Sequence, residues 1–181
     1  MKKLKTILVL TVLATVFIAC DDAEDVLPTF NITNDVSKKL DLSVMANTNG
    51  DCVDFTEAST FDLRSNTDIN ENYSKVTALD INSITWGVTD FVGDDGVFLD
   101  GGLLKIGETS FEIGNFDLKA SDTANEMFVI TDVNKLIAIA SEMLPSGSIS
   151  MRLESRSGSN CENDFTFKFN LKQNVTVTVQ P

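Results

Sequence analysis

Polar and apolar residues alternate along most of this chain with a period of two. Phe165, Phe167, Phe169 and Leu171 fall on every second position, and Val175, Val177 and Val179 continue the run. Ile149, Met151 and Leu153 repeat the pattern, as do Leu40, Leu42 and Val44. A strand points successive side chains to opposite faces, so each run predicts a strand with one buried face. The longest β-rich run is Val76 to Phe91. Within it Leu79 and Ile81 have one parity, and Ile84, Trp86 and Val88 the other. That change predicts a bulge near Asn82 and Ser83. Gly93 to Gly96 punctuates the run. Segments 97–106 and 110–118 flank Gly107-Glu108-Thr109 and read as a hairpin, with Phe111, Ile113 and Phe116 as core residues. Phe61 and Leu63 alternate in the mixed segment 55–63, and the polar segment 67–73 reads as one helical turn.

One stretch has a different period. Val133, Leu136, Ile137, Ala140, Met143 and Leu144 recur at helical spacing. Thr131 or Asp132 supplies the cap, and Pro145 and Gly147 stop the helix. The expectation is one short amphipathic helix over about 132–144 in a chain that is otherwise strand. Seven or eight strands with turns about every 8–12 residues predict a mainly β fold, a Greek-key-like β-sandwich. No internal repeat divides it, so residues 31–181 read as a single domain.

The first residues follow neither pattern. Lys2, Lys3 and Lys5 precede an apolar stretch from Ile7 to Phe17, broken only by Thr11 and Thr15. This is the order of a secretory signal peptide. The stretch to Ala19 spans 13 residues, and a helix needs roughly 20 to cross a bilayer. Phe17-Ile18-Ala19-Cys20 resembles the lipobox of bacterial lipoproteins, with Phe17 where Leu is commonest. The resemblance implies cleavage after residue 19 and lipidation of Cys20, so that the chain is held by lipid at the outer membrane. Asp21, Asp22, Glu24 and Asp25 follow directly. They resemble the export signal of surface-exposed lipoproteins of Gram-negative bacteria. Residues 20–30 then read as a lipidated acidic tether. The expected location is the cell surface, with a periplasm-facing domain as the alternative. The strand and helix order of residues 75 to 179 is similar to that of small lipoproteins of Gram-negative bacteria, a likeness that brings no activity with it.

Charge narrows the partners. The chain has 14 basic and 27 acidic residues, a net of −13. Three of the basic residues lie in the signal, which leaves 11 against 27, a net of −16. Nucleic-acid binding rests on Lys and Arg neutralising phosphates, so no nucleic-acid partner is expected. Of three cysteines, Cys20 is assigned to the lipid. Cys52 and Cys161 remain, each in a polar turn, and are expected to pair as a disulfide in an oxidising compartment.

Candidate chemistry is sparse. The chain has no His, which excludes Ser-His-Asp and Cys-His catalysis and His-built zinc sites. No phosphate-binding glycine loop is present. No enzyme activity and no cofactor are expected. Asp90, Asp94, Asp95 and Asp100 surround a glycine-rich turn and form a weak calcium candidate. Their spacing departs from the calcium-loop pattern, and an acidic hairpin tip is the plainer reading. Asp122-Thr123-Ala124 resembles the three-residue O-glycosylation motif of exported proteins of Gram-negative bacteria, with Thr123 as acceptor. The sequence therefore points to a lipid-anchored, non-enzymatic binding or assembly module with an outer-membrane protein as partner. One alternative is a surface glycan-binding module, which needs an exposed Trp86. A second is a carboxylate-dependent hydrolase, which needs two facing acids, one with a raised pKa.

Overall fold

A computed structural model describes residues 28–47, 49–158 and 162–181. All the elements below belong to one compact unit, Phe30–Gln180.

The strands are β1 (Phe30–Val44), β2 (Asp54–Asp62), β3 (Val76–Val92), β4 (Phe98–Ile106), β5 (Thr109–Asp117), β6 (Met127–Ile130), β7 (Ser148–Ser157) and β8 (Phe165–Val179). Three short helices join them, α1 (Thr67–Asn72), α2 (Leu118–Ala124) and α3 (Val133–Met143). The strands form two antiparallel sheets of four, ordered β1-β8-β3-β6 and β2-β7-β4-β5. This is the strand order of an eight-stranded jelly roll, a sandwich built from two Greek keys. The expected mainly β, Greek-key-like sandwich is what the chain forms, with three short helices among the described residues where one amphipathic helix was expected.

The alternation builds the core directly. Along β8 every odd-numbered residue from Phe165 to Val179 is buried. Phe55 of β2 meets Phe165 and Phe167 edge-on across the sandwich, at 6.5 and 6.2 Å between ring centroids. Trp86 is only 4% exposed. It stacks on Phe128 at 4.2 Å and on Phe169 at 5.4 Å, and meets Phe116 of the opposite sheet at 5.4 Å. Such ring pairs contribute ~0.5–1.5 kcal/mol beyond the area they bury.

The parity change in β3 is a real irregularity. Its pairing with β8 shifts between Ile81 and Ser83, as the sequence predicted, and also near Val76 and near Asp90. Strand β1 is longer than its apolar run. It pairs with β8 without a shift from Phe30↔Val179 to Val44↔Phe165. Its first half is polar because it lies at a sheet edge, where Thr33 bonds Thr176 and Asn31 accepts from Thr178.

Two helix expectations need correction. Segment 110–118 is not strand throughout. The Asp117 carboxylate accepts from the Ala120 N–H, and α2 starts at Leu118. The helix α3 begins at its predicted Asp132 cap, but it buries Leu136, Ile139, Ala140 and Met143. Val133 and Ile137 face outward and Ile139, absent from the predicted stripe, faces in. The helix stops where Gly147 takes φ 71° with its Cα against the Tyr73 ring, and Tyr73 donates to the Leu144 carbonyl at 2.8 Å.

One inward position on β8 breaks the apolar rule. Gln173 is fully buried, and neither its Oε1 nor its Nε2 has a hydrogen-bond partner among the described residues. A buried unsatisfied polar group costs ~1–3 kcal/mol. Gln173→Met keeps the volume and removes the polar atoms. The expected outcome is a higher denaturant midpoint, equivalent to about 1–3 kcal/mol of added stability. A lower midpoint would show that the amide is satisfied in solution.

Candidate functional site

The anchor residues come first in the chain, and the structure leaves them as expectations. Cys20, Asp21, Asp22, Glu24 and Asp25 lie outside the described residues, as does Cys161. Cys52 is disulfide-bonded. The loop that carries it lies beside the loop leading into β8. The Ala46 N–H donates to the Asp164 carboxylate at 2.7 Å, and the Val53 N–H donates to Ser157 Oγ at 2.8 Å. The Gly50 backbone rests against the Glu162 side chain.

The structure does not bring the four acids of the weak calcium candidate together. Asp90 pairs with Lys168 at 2.8 Å, Asp95 pairs with Lys119, and Asp94 accepts from Asn163. Three of the four acids are thus turned to different protein partners. Asp100 contributes its backbone carbonyl, which accepts from Ser155. Among the described residues no group of three acids or cysteines is placed to hold a metal.

Thr123 is exposed on the last turn of α2. Its neighbour Asp122 has a structural task. The Asp122 carboxylate accepts from the N–H groups of Asp90 and Phe91 at 3.2 and 3.1 Å. It closes the end of β3, where Asp90 takes φ 55°.

The structure also places the residues that the two alternative readings depend on. Trp86 lies inside the aromatic stack, so it is no platform for a sugar. Among the described residues, four carboxyls are held below their ordinary range. Asp35 is lowered by a hydrogen bond from Asn174, Asp62 by Arg64, Asp90 by Lys168 and Glu154 by Lys105.

One exposed surface was not foreseen from the sequence. Met127 and Val129 of β6 and Val133 and Ile137 of α3 are 48, 60, 65 and 59% exposed. Four large apolar side chains thus face water within one short segment. Beside them a groove of about 570 Å³ lies between α3 and β3. Asp80, Asn82 and Thr176 line its polar side, and Val133, Ile137 and Ala140 its apolar side. Asn82 is fixed by donating to Asn174 and Thr176 at 2.8 and 3.0 Å. The usable signal was helical phase. Leu136, Ile139, Ala140 and Met143 already complete one buried face, which leaves Val133 and Ile137 over.

The groove follows from how β3 is paired. On one side β3 lies against β8 for most of its length. On the other, β6 pairs only with Ile84 to Gly87. Asp122 closes one of the uncovered ends. Over residues 76–83 no strand covers that side among the described residues.

No family model matches the chain, and no curated protein matches it. Among solved structures it is similar to the decameric BFDV capsid protein, at 9% identity and a TM-score of 0.44, covering 82% of this chain and 99% of that one. It is also similar to the 60-mer of the BFDV capsid protein, at 11% identity and a TM-score of 0.41, covering 84% and 95%. A third is Desmodium yellow mottle tymovirus, at 8% identity and a TM-score of 0.38, covering 86% and 83%. At these values nothing about the role of this chain follows from the likeness.

The loop contacts around Cys52 make its partner testable. Cys52 is expected to be joined to Cys161, and peptide mapping without reductant should recover the two as one linked species. Reduction should then lower stability by about 3–5 kcal/mol, the usual cost of opening a loop of this size. Recovery of Cys161 as a free thiol would show that Cys52 has another partner.

Proposed function

We propose that this chain is a lipid-anchored lipoprotein of the outer membrane, displayed at the cell surface, whose jelly-roll domain serves as a non-enzymatic binding or assembly module. The anchor half of this reading rests on Phe17-Ile18-Ala19-Cys20 and on the acidic residues that follow. Lipid is the consistent anchor, because the apolar stretch to Ala19 spans 13 residues and a helix needs roughly 20 to cross a bilayer. Two or more acyl chains at one site hold a protein firmly, since each buried methylene contributes ~0.8 kcal/mol.

The binding half rests on one observation, the exposed apolar segment Met127, Val129, Val133 and Ile137 beside the groove. Exposed apolar side chains that line a groove, as Val133 and Ile137 do, support an interaction site on a strongly acidic surface. A protein partner fits such a patch better than a polysaccharide, because the side chains offered are aliphatic and not aromatic. The partner that suits the location is another outer-membrane protein.

Two variants test the anchor. Cys20→Ser should leave the chain released from membranes or carrying an uncut signal, read by fractionation and intact mass. A variant that stays membrane-bound and is still cut at residue 19 would overturn the lipoprotein reading. Replacing Asp21, Asp22, Glu24 and Asp25 together by Ala should reduce protease accessibility on intact cells without unfolding the domain. Mild crosslinking on intact cells should join the wild-type chain to an outer-membrane protein in fixed ratio, and absence of any such product would remove the assembly role.

A further inference from the structure

We propose that the open edge of β3 takes up an extended segment of a partner protein as an added strand, and that this segment carries apolar residues at alternate positions with Lys or Arg at its ends. The inference deepens the binding-module reading and rests on it.

The backbone supplies the first argument. A strand edge without a neighbour presents N–H and C=O groups that pair readily with another chain. β3 has 17 residues, and β6 covers four of them. The Asp122 carboxylate caps the N–H groups of Asp90 and Phe91 at one end. At the other end Leu79 to Asn82 line the groove, with no strand on that side among the described residues. Four residues of strand span about 13 Å, enough to register a short added strand.

The wall supplies the second. Val133 and Ile137 stand one helical turn apart on the exposed face of α3 and line the groove. An added strand would direct every second side chain to one face. Apolar residues at that period meet these two side chains and cover them.

Charge supplies the third, and it selects the occupant. Asp80 lies in the groove, and Asp132 stands between Thr131 and Val133, which line it. Neither acid forms an ion pair among the described residues. The nearby Lys135 is committed elsewhere. It donates to the Ser110 carbonyl at 2.8 Å and sits 4.9 Å from the centre of the Phe111 ring. A basic end on the incoming strand complements these acids, whereas a second copy of this acidic chain brings like charge to the contact.

The test uses the full lipidated chain in nanodiscs and a synthetic peptide of alternating valine and threonine with lysines at both ends. The peptide should bind saturably by fluorescence anisotropy and slow amide exchange over residues 76–83. The double variant Val133→Lys with Ile137→Lys alters exposed side chains and should fold, as checked by the near-ultraviolet signal of Trp86. It should weaken binding at least about tenfold. Asp80→Lys should weaken it as well, and a peptide with glutamate ends should bind more weakly than the lysine form. Absence of saturable binding would overturn the proposal, as would protection at the β1, β2 or β5 edges, or equal binding by the double variant. Protection of the same edge by self-association, without peptide, would make a second copy the occupant and overturn it too. Loss of the groove result, with an outer-membrane partner still crosslinked on cells, would overturn this inference and leave the binding-module reading in place.

Discussion

Strand β8 is the element on which the rest depends. It runs between β1 and β3, so its two backbone edges hold two of the other three strands of its sheet. Its inward face carries Phe165, Phe167, Phe169, Leu171, Val175, Val177 and Val179, all buried. Burying a large apolar side chain contributes roughly 1.5–3 kcal/mol, so this single face is a large share of the core. It also fixes register. A slip of one residue would turn every one of these side chains to solvent. The aromatic stack enforces the same register from the other side, because Trp86 lies opposite both Leu171 and Phe128.

The neighbouring strand β3 has the opposite character. It bends at three register shifts, and its free edge is finished differently at each place. The strand β6 covers the middle. It is kept to four residues by the helices on either side of it. Asn125 takes φ 49° as the C-cap of α2, and Asp132 is the N-cap of α3. Lengthening β6 at either end would break a helix cap, each worth about 1 kcal/mol. The groove is thus a consequence of two helix ends set close together in sequence.

Most of the architecture was legible in the sequence, because strands with one buried face write their period into it. The runs at 40–44, 149–153 and 165–179, the bulge at Asn82 and the Asp132 cap all follow from period and local chemistry. Strand order did not, since alternation says which face is buried and not which strand lies beside which. The polar half of β1 was illegible for a related reason. An edge strand whose face is half solvated can carry Asn, Thr and Asp and still pair through its backbone. Gln173 sits at a core position that its polarity argues against, and nothing local marks it. The groove escaped notice because an exposed Val or Ile in a helix reads as core unless the phase of the buried face is resolved first. The anchor is the reverse case, since its signal is wholly local and no packing argument bears on it.

Charge does little for stability here and more for selection. The ion pairs of Asp62 with Arg64, Asp35 with Lys172, Asp90 with Lys168 and Glu154 with Lys105 lie at the surface. Pairs of this kind contribute at most about 1 kcal/mol. Their effect is to commit cations to particular acids. The partnered carboxyls are held below their ordinary range, so they stay ionised well into acid. With 27 acids against 14 bases, negative charge is left over, and it collects where the described residues form no ion pair. The groove beside Asp80 is one such place. An anionic surface of this kind repels nucleic acid, anionic lipid and its own copies alike. The proposed partner, a basic protein segment with apolar side chains to cover Val133 and Ile137, complements such a surface in charge and offers those side chains at strand spacing.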